Sequence, residues 1–273
     1  MQKNFASVRR LVIWLACVPL GQGLWAQTGL VHPKYLKGKT YAVLVGISAY
    51  EAPVNKLSIS HKDALAMEQF LSLHGFPRLT SAEMRVRTDA SATYEQLVND
   101  LIWVAEKAGP DDRIIFFFSG HGSKDGLAPV DYGPTQQILS HTLIKSLLGR
   151  SRSRQIIMMA DACHSGGMDG AVYLGMVTDM VQGYRNSGIT MLLSSSHAQT
   201  SLEYAAEGLS FFTYYFLQGV LGGYADKNGD KMITVQESFD YTRLNVQVMT
   251  EGRQTPQLAG DIDPSIVFRI GLP

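Results

Sequence analysis

Short, fully apolar runs alternate along this chain with longer stretches in which apolar residues recur at helical spacing. The runs at Thr40–Ile47, 113–118, 155–160 and Thr190–Ser195 predict buried strands, because a strand covered on both faces has no polar side. Shorter patterns predict a strand at Glu83–Thr88 and an edge-like strand at Ser265–Ile270. The helical pattern, with glycine, proline and capping residues at its ends, predicts helices at His61–His74, Thr93–Ala108, Ser140–Leu148, Ser210–Leu221 and Thr234–Met249.

This alternation of strands and helices predicts an α/β fold with a mostly parallel sheet and helices on both faces. In such a sheet, ligands bind beyond the carboxyl ends of the strands. We therefore expect the functional residues to follow the apolar runs.

Two of the runs end at reactive side chains. The first is followed by Ser119-Gly120-His121-Gly122, and the second by Asp161-Ala162-Cys163-His164-Ser165-Gly166. Both strands are predicted to stop at these small-residue turns. A thiol and an imidazole at the ends of two buried strands are the parts of a cysteine nucleophile and its base, which favours a protease.

The N-terminus has the pattern of a secretory signal peptide. Basic residues precede an apolar run at 11–20 that is too short to span a bilayer, and Ala26 is a small residue suited to cleavage. The predicted domains are a signal peptide at 1–26, an arm at 27–37 and a catalytic domain at 38–273, exported to the periplasm or secreted. Lipid attachment at Cys17 and an uncleaved anchor are the alternatives.

Composition narrows the function classes further. The 273 residues are 45% hydrophobic, enough for one α/β domain with a large core. Basic and acidic residues balance at 24 each, so nothing suggests nucleic acid or an anionic membrane as a partner. The chain has 2 cysteines. Removal of the leader, which contains Cys17, leaves Cys163 with no cysteine to pair with.

Four segments of the chain, in order, resemble those of the caspase/metacaspase superfamily of cysteine peptidases: Tyr41–Ile47, Ser119–Gly122, Asp161–Gly166 and Gln254–Gln257. The resemblance extends over roughly residues 38 to 270 and is to bacterial, secreted metacaspase-like members. Legumains share the general pattern of the two reactive turns. The resemblance implies a caspase-like three-layer sandwich.

The resemblance also implies a catalytic dyad of His121 and Cys163. The backbone N–H groups of Gly122 and Cys163 would form the oxyanion hole. Cys163 would attack as a thiolate, His121 would protonate the leaving amine, and water would hydrolyse the thioester.

Pocket residues are implied in the same way. Metacaspases bind arginine or lysine with an acidic residue two before the cysteine, a second in the first helix and a serine two before the histidine. These positions correspond to Asp161, Asp63 and Ser119. Caspases that cut after aspartate need cations in this pocket, and no arginine stands in a matching place. The expected substrates are therefore proteins or peptides with basic residues.

Calcium is an open alternative, although the dyad itself requires no cofactor. Many metacaspases bind calcium through an acidic cluster after the histidine strand, where residues 122–131 hold only two carboxylates. Another segment has oxygen ligands at the spacing of a calcium loop, namely Asp226, Asn228, Asp230, Thr234 and Glu237. Lys231 occupies the usual glycine position of that loop, and a capping box between Thr234 and Glu237 explains the spacing without metal.

Two other functions remain compatible with these residues. One is a caspase-fold hydrolase that is not a peptidase, and the other is an inactive binding or scaffold module, which usually lacks the dyad. Arg185 is the candidate self-cleavage site, because it is the only arginine or lysine in residues 164–188. An ordinary surface role for Arg185 is the favoured alternative, since many metacaspases work as a single chain.

Overall fold

The computed structural model describes residues 38–75, 78–123, 125–163, 184, 187–196, 199, 201–264 and 266–271, with the backbone alone for Cys163. These residues belong to one compact unit. No helix in this described part is long and apolar enough to cross a membrane. The leader at 1–26 and the arm at 27–37 lie outside the described residues, so both stay predictions.

A mostly parallel sheet occupies the centre of the fold. The strands are β1 Thr40–Gly46, β2 Met84–Thr88, β3 Arg113–Ser123, β4 Gly126–Leu127, β5 Leu139–Ser140, β6 Gln155–Cys163, β7 Ile189–Leu193, β8 Glu203–Tyr204, β9 Leu209–Ser210, β10 Met232–Thr234, β11 Gln257–Gly260 and β12 Val267–Ile270. The helices are α1 Ser60–Leu73, α2 Tyr94–Lys107, α3 Tyr132–Thr135, α4 His141–Leu148, α5 Phe211–Gly222 and α6 Val235–Met249. A 3-10 turn covers Asp89–Ser91.

The main path of the sheet runs in the order β11-β7-β6-β3-β1-β2. All neighbours on this path are parallel except β11, which pairs antiparallel with β7. The short strands β4 and β5 extend the end of β3. Two small antiparallel sheets, β8–β9 and β10–β12, lie outside the main sheet.

Alternation along the strands builds a core on each face of the sheet. On β1, Val43 and Val45 point into a cluster that includes residues of α2 and α4. Ala42 and Leu44 point into the other cluster, with residues of α1, α5 and α6. Both faces are therefore covered, which accounts for the fully apolar strands. The predicted three-layer α/β architecture with helices on both faces is confirmed.

Serine and threonine residues start most of the long helices. A side-chain hydroxyl accepts a backbone N–H from the first turn at the start of α2, α4, α5 and α6, which satisfies a donor that the helix itself leaves open. The four capping residues are Thr93, Ser140, Ser210 and Thr234. These are the residues at which the sequence pattern places the starts of the helices.

Two expectations about the strands were wrong. First, β3 and β6 do not stop before the reactive residues but continue through His121 and Cys163, because the two strands stay paired up to that point. Second, the last predicted strand is not an edge of the main sheet. The observed strand β12 pairs with β10. The strand at that edge of the main sheet, beside β7, is β11, which has four residues and too even a burial to show a period of two.

Candidate active site

The ends of β3 and β6 bring the predicted catalytic residues together. In the parallel register, Ser119 is the Cα partner of Asp161, and His121 is the Cα partner of Cys163. Neighbouring strands lie about 4.8 Å apart, so the backbone of Cys163 is directly beside that of His121. The side chain of Cys163 lies outside the described residues, so its contact with the imidazole stays a prediction.

His121 is held in one orientation by contacts that the sequence did not indicate. Its Nε2 lies 2.7 Å from the carbonyl oxygen of Asn55. Its backbone N–H donates to the hydroxyl of Tyr50 at 2.8 Å, and that hydroxyl donates to the carbonyl of Ala128 at 3.1 Å. The rings of Tyr50 and His121 pack with their centres 4.7 Å apart. The imidazole is therefore held by Tyr50 and Asn55, and Ala128 helps to fix Tyr50.

These contacts determine the chemistry of the imidazole. A carbonyl oxygen can only accept, so the Nε2 of His121 carries a proton and Nδ1 is the basic nitrogen of the neutral ring. Burial lowers the pKa of His121, and the hydrogen bond to Asn55 opposes that shift. The net result favours a neutral imidazole that can act as a base.

Glycine is required in two places by close packing. A Cβ at Gly120 would lie 2.5 Å from the hydroxyl of Tyr50, which therefore needs a glycine to reach the backbone of His121. A Cβ at Gly46 would lie 2.3 Å from the carbonyl of Ser60, so this glycine lets the first turn of α1 sit against β1. The first contact positions the histidine, and the second positions the helix that carries Asp63.

The three predicted pocket residues lie together beneath the strand ends. Asp63 is fully buried in the first turn of α1. The hydroxyl of Ser119 donates to its Oδ2 at 2.8 Å, and the backbone N–H of Ser210 donates to its Oδ1 at 3.0 Å. Strand β3, helix α1 and the start of α5 therefore meet at one carboxylate.

Asp161, also buried, is surrounded by hydroxyl groups. Its Oδ1 accepts from the hydroxyl of Ser201, and its Oδ2 accepts from those of Ser210 and, at 3.3 Å, Thr213. Ser210 bonds both carboxylates, one through its backbone and one through its side chain. It thus joins Asp63 and Asp161 into one acidic pair.

This acidic pair is unusual in its electrostatics. Neither carboxylate has a cationic partner among the described residues. Burial, with the nearby charge of Asp161, raises the pKa of Asp63 to about 8. Burial also raises the pKa of Asp161, although its hydroxyl partners oppose the shift. The two groups share one environment, so they titrate as a pair.

Sequence reasoning missed several residues that complete this site. They belong to loops or to the starts of elements: Tyr50, Asn55, Ser201, Ser210 and Thr213. Only Ser210 and Thr213 had a local signal, the serine and threonine spacing at a helix start. That spacing indicates a cap and says nothing about a distant carboxylate.

The predicted calcium loop is closed by its own hydrogen bonds. The carboxylate of Asp226 accepts the backbone N–H groups of Gly229 and Lys231, and Oδ1 of Asp230 accepts that of Met232. In the described chain, no group of three His, Cys, Asp or Glu side chains is placed to hold a metal ion. Calcium binding here stays a prediction.

The capping box proposed for the end of that loop is confirmed. Glu237 accepts from the backbone N–H and the hydroxyl of Thr234, while the N–H of Glu237 donates to that hydroxyl. This arrangement satisfies backbone donors at the start of α6 with groups of the chain itself.

Gly122 lies at the paired strand ends, as the predicted oxyanion hole requires. Gly122 follows His121 in β3 and pairs with Leu127 of β4, so it lies beside the paired ends of the two strands. Its part in an oxyanion hole with Cys163 stays a prediction. Arg185, the candidate self-cleavage site, lies outside the described residues.

Comparison with known proteins gives one family. A family model described as the caspase domain matches residues 39–263. Metacaspase-1 of Lodderomyces elongisporus is 35% identical over 101 residues, 35% of this chain and 22% of that protein. Metacaspase-1 of Schizosaccharomyces pombe is 27% identical over 155 residues, covering 48% and 35%. Metacaspase-5 of Trypanosoma cruzi is 28% identical over 152 residues, covering 49% and 34%.

The chain therefore spans between about a fifth and about a third of the length of these three relatives. A crystal structure of a protein from Geobacter sulfurreducens superimposes with a TM-score of 0.58 at 18% identity. That alignment covers 85% of this chain and 97% of the other. At this identity, the likeness concerns the fold alone.

Proposed function

This chain belongs to the caspase domain family of cysteine peptidases, and we propose that it is an active endopeptidase that cleaves after arginine or lysine. The observation that carries the proposal is the buried acidic pair, which has no cationic partner among the described residues. Asp161 stands two residues before Cys163, and Asp63 of α1 is joined to it through Ser210. An arginine or lysine side chain would supply the missing positive charge.

The proposed mechanism uses the paired ends of β3 and β6. Cys163 attacks the scissile carbonyl carbon as a thiolate, and its proton is held by Nδ1 of His121. His121 then protonates the leaving amine, and water hydrolyses the thioester. The carbonyl of Asn55 supports this role, because it keeps the other ring nitrogen protonated. The N–H groups of Gly122 and Cys163 are proposed to stabilise the oxyanion.

The proposed specificity rests on the chemistry of the acidic pair. Two carboxylates attract a guanidinium or ammonium group and repel the side chain of aspartate. The surrounding hydroxyl groups can both donate and accept, so they remain partners when a cationic side chain enters. Ser119 and Ser210 would hold the carboxylates in place during this exchange.

A panel of matched peptides that differ in one residue tests this proposal. We expect turnover after arginine and lysine, and turnover after aspartate at least about a hundredfold lower, because a like charge in the pocket costs several kcal/mol. The measurement is kcat/KM for each peptide with the purified chain that lacks residues 1–26. Preferential turnover of the aspartyl peptide would reject the pocket, and labelling of Cys163 without peptide turnover would favour another hydrolase class.

We expect the chain to work without cleavage at Arg185 and without added calcium. The proposed dyad chemistry needs no metal ion, and in the loop 226–237 the carboxylates of Asp226 and Glu237 accept backbone N–H groups of the loop itself. The measurement incubates the wild type and Cys163→Ala side by side with calcium or with a chelator, and follows chain length and turnover. A new fragment boundary after Arg185 in the wild type alone would contradict this expectation, as would loss of turnover in chelator.

A further inference from the structure

Gln254 is fully buried in the loop that follows α6, and both polar atoms of its side chain have partners. Its Nε2 donates to the carbonyl of Ser194 at 2.9 Å and to the hydroxyl of Ser201 at 3.2 Å. Its Oε1 accepts from the backbone N–H of Leu202 at 2.8 Å. The carbonyl can only accept and the backbone N–H can only donate, so the orientation of the amide is unambiguous.

This orientation determines the direction of a second hydrogen bond. A serine hydroxyl has one proton and accepts through its lone pairs. Because the Nε2–H of Gln254 points at the oxygen of Ser201, it occupies one of these lone pairs. Among the described groups, two acceptors then remain for the proton of Ser201, Oδ1 of Asp161 and the hydroxyl of Ser194 at 2.9 Å, and the carboxylate is the stronger of the two. Hydrogen bonds that continue in one direction polarise and strengthen one another.

We propose that Gln254 is a positioning residue for the primary pocket, which directs the hydroxyl proton of Ser201 at Asp161 and keeps that carboxylate ready for a basic side chain. This inference rests on the proposed function of the acidic pair. It also gives a role to the first residue of the Gln254–Gln257 segment. Gln254 itself touches neither substrate nor the dyad, since it acts through Ser201.

Few of the groups around Asp161 could replace Gln254 in this role. Among the described residues, the charged group that faces Asp161 is Asp63 on α1. The other groups around it are neutral hydroxyls from the end of β7, the loop before β8, the end of β9 and α5, namely Ser194, Ser201, Ser210 and Thr213. A change at Gln254 therefore alters the donors to Asp161 without altering the charge of the pocket.

The first test replaces Gln254 with leucine, which keeps the size but removes the amide. We expect KM for an arginyl peptide to rise about tenfold while kcat changes less than about twofold, because a hydrogen bond to a charged group weakens. The lower limb of the pH profile of kcat/KM is expected to move up by about one pH unit. Gln257→Leu is the matched control, since the Nε2 of Gln257 donates to the nearby carbonyl of Thr255 and its side chain makes no other hydrogen bond within the described part of the chain.

A double-mutant cycle with Ser201→Ala tests the route of the effect. If Gln254 acts through Ser201, adding Gln254→Leu to Ser201→Ala changes KM by less than about twofold. The bonds of Gln254 to Ser194 and Leu202 are still lost, so Tm falls further in the double variant. Additive effects of the two substitutions on KM, or an unchanged KM and pH profile in Gln254→Leu, would overturn the inference.

A measurement without substrate separates this inference from the proposed function. If the wild type fails to cleave arginyl and lysyl peptides, the proposed specificity is wrong. The pH dependence of thermal unfolding still tests Gln254. Loss of a donor raises the pKa of Asp161 further, so the decline in stability with rising pH is expected to continue to a higher pH in Gln254→Leu than in Gln257→Leu. Identical curves for the two variants would contradict the role of Gln254.

Discussion

Cys163→Ala and His121→Ala are each expected to lower kcat/KM for an arginyl peptide by at least about a thousandfold, because each removes one half of the proposed nucleophile and base. The backbone register that makes these two residues Cα partners supports their joint role. The measurement is peptide turnover at a temperature well below the Tm of each variant. His121→Ala should also unfold at a lower temperature, since it loses the ring contact with Tyr50.

The matched control for the histidine is His74→Ala. His74 is exposed at the end of α1, so its removal is expected to leave turnover unchanged. The reaction of Cys163 with a small alkylating agent gives a second measurement, because thiolate formation depends on His121. Near-normal turnover in either dyad variant would refute the assignment. Equal alkylation rates in the wild type and His121→Ala would refute the coupling between the two residues.

Asp63→Asn and Asp161→Asn are each expected to lower kcat/KM for arginyl peptides about a hundredfold, because a charge-assisted bond in a buried site is replaced by a neutral one. For the wild type, kcat/KM should rise with pH towards about 8, the pKa of Asp63, since the ionised pair binds a cation best. Burial lowers the pKa of His121, which therefore titrates below this rise.

The raised pKa of Asp63 also predicts how the free energy of unfolding depends on pH. The pKa of Asp63 is raised from 3.8 in the unfolded chain to about 8 in the folded protein. The contribution of Asp63 to stability is therefore fully present below pH 3.8 and is lost as the pH rises through about 8, because between these values the folded state still holds a proton that the unfolded state has released.

Asp63→Asn is expected to flatten the decline in stability. The measurement is Tm against pH for the wild type, Asp63→Asn and the control Asp111→Asn, whose carboxylate is exposed. A wild type whose stability rises between pH 4 and 8 relative to Asp63→Asn would contradict the raised pKa. An arginyl kcat/KM that is unchanged in both pocket variants would contradict the pocket.

Much of the fold could be predicted because its signals are local. The apolar runs identify strands that are covered on both faces, and the capping residues Thr93 and Ser140 identify helix starts to within one residue. The ends of β3 and β6 were harder to predict. Gly120 and His121 resemble a turn in isolation, and only pairing with the neighbouring strand keeps them extended.

The residues of the site also fall into two groups, those with a signal in the local sequence and those without one. The residue types in the two reactive segments indicate a thiol, an imidazole and a nearby carboxylate, and the likeness to a known family gives Asp63 and Ser119 a place beside them. The partners of these groups have no such pattern. Asn55, Ser201 and Gln254 are ordinary loop residues, and their contacts join segments that are far apart along the chain.

The sequence by itself determined the alternation of strands and helices, the residues at the strand ends and the chemistry that those residues can perform. These properties follow from hydrophobic period, capping and the functional groups of the side chains, all of which are local. The tertiary structure alone decided which nitrogen of His121 carries a proton, how Ser210 joins two carboxylates, and why Asp63 holds a proton near neutral pH. Burial and long-range hydrogen bonds set these properties, and both exist only once the distant segments have packed together.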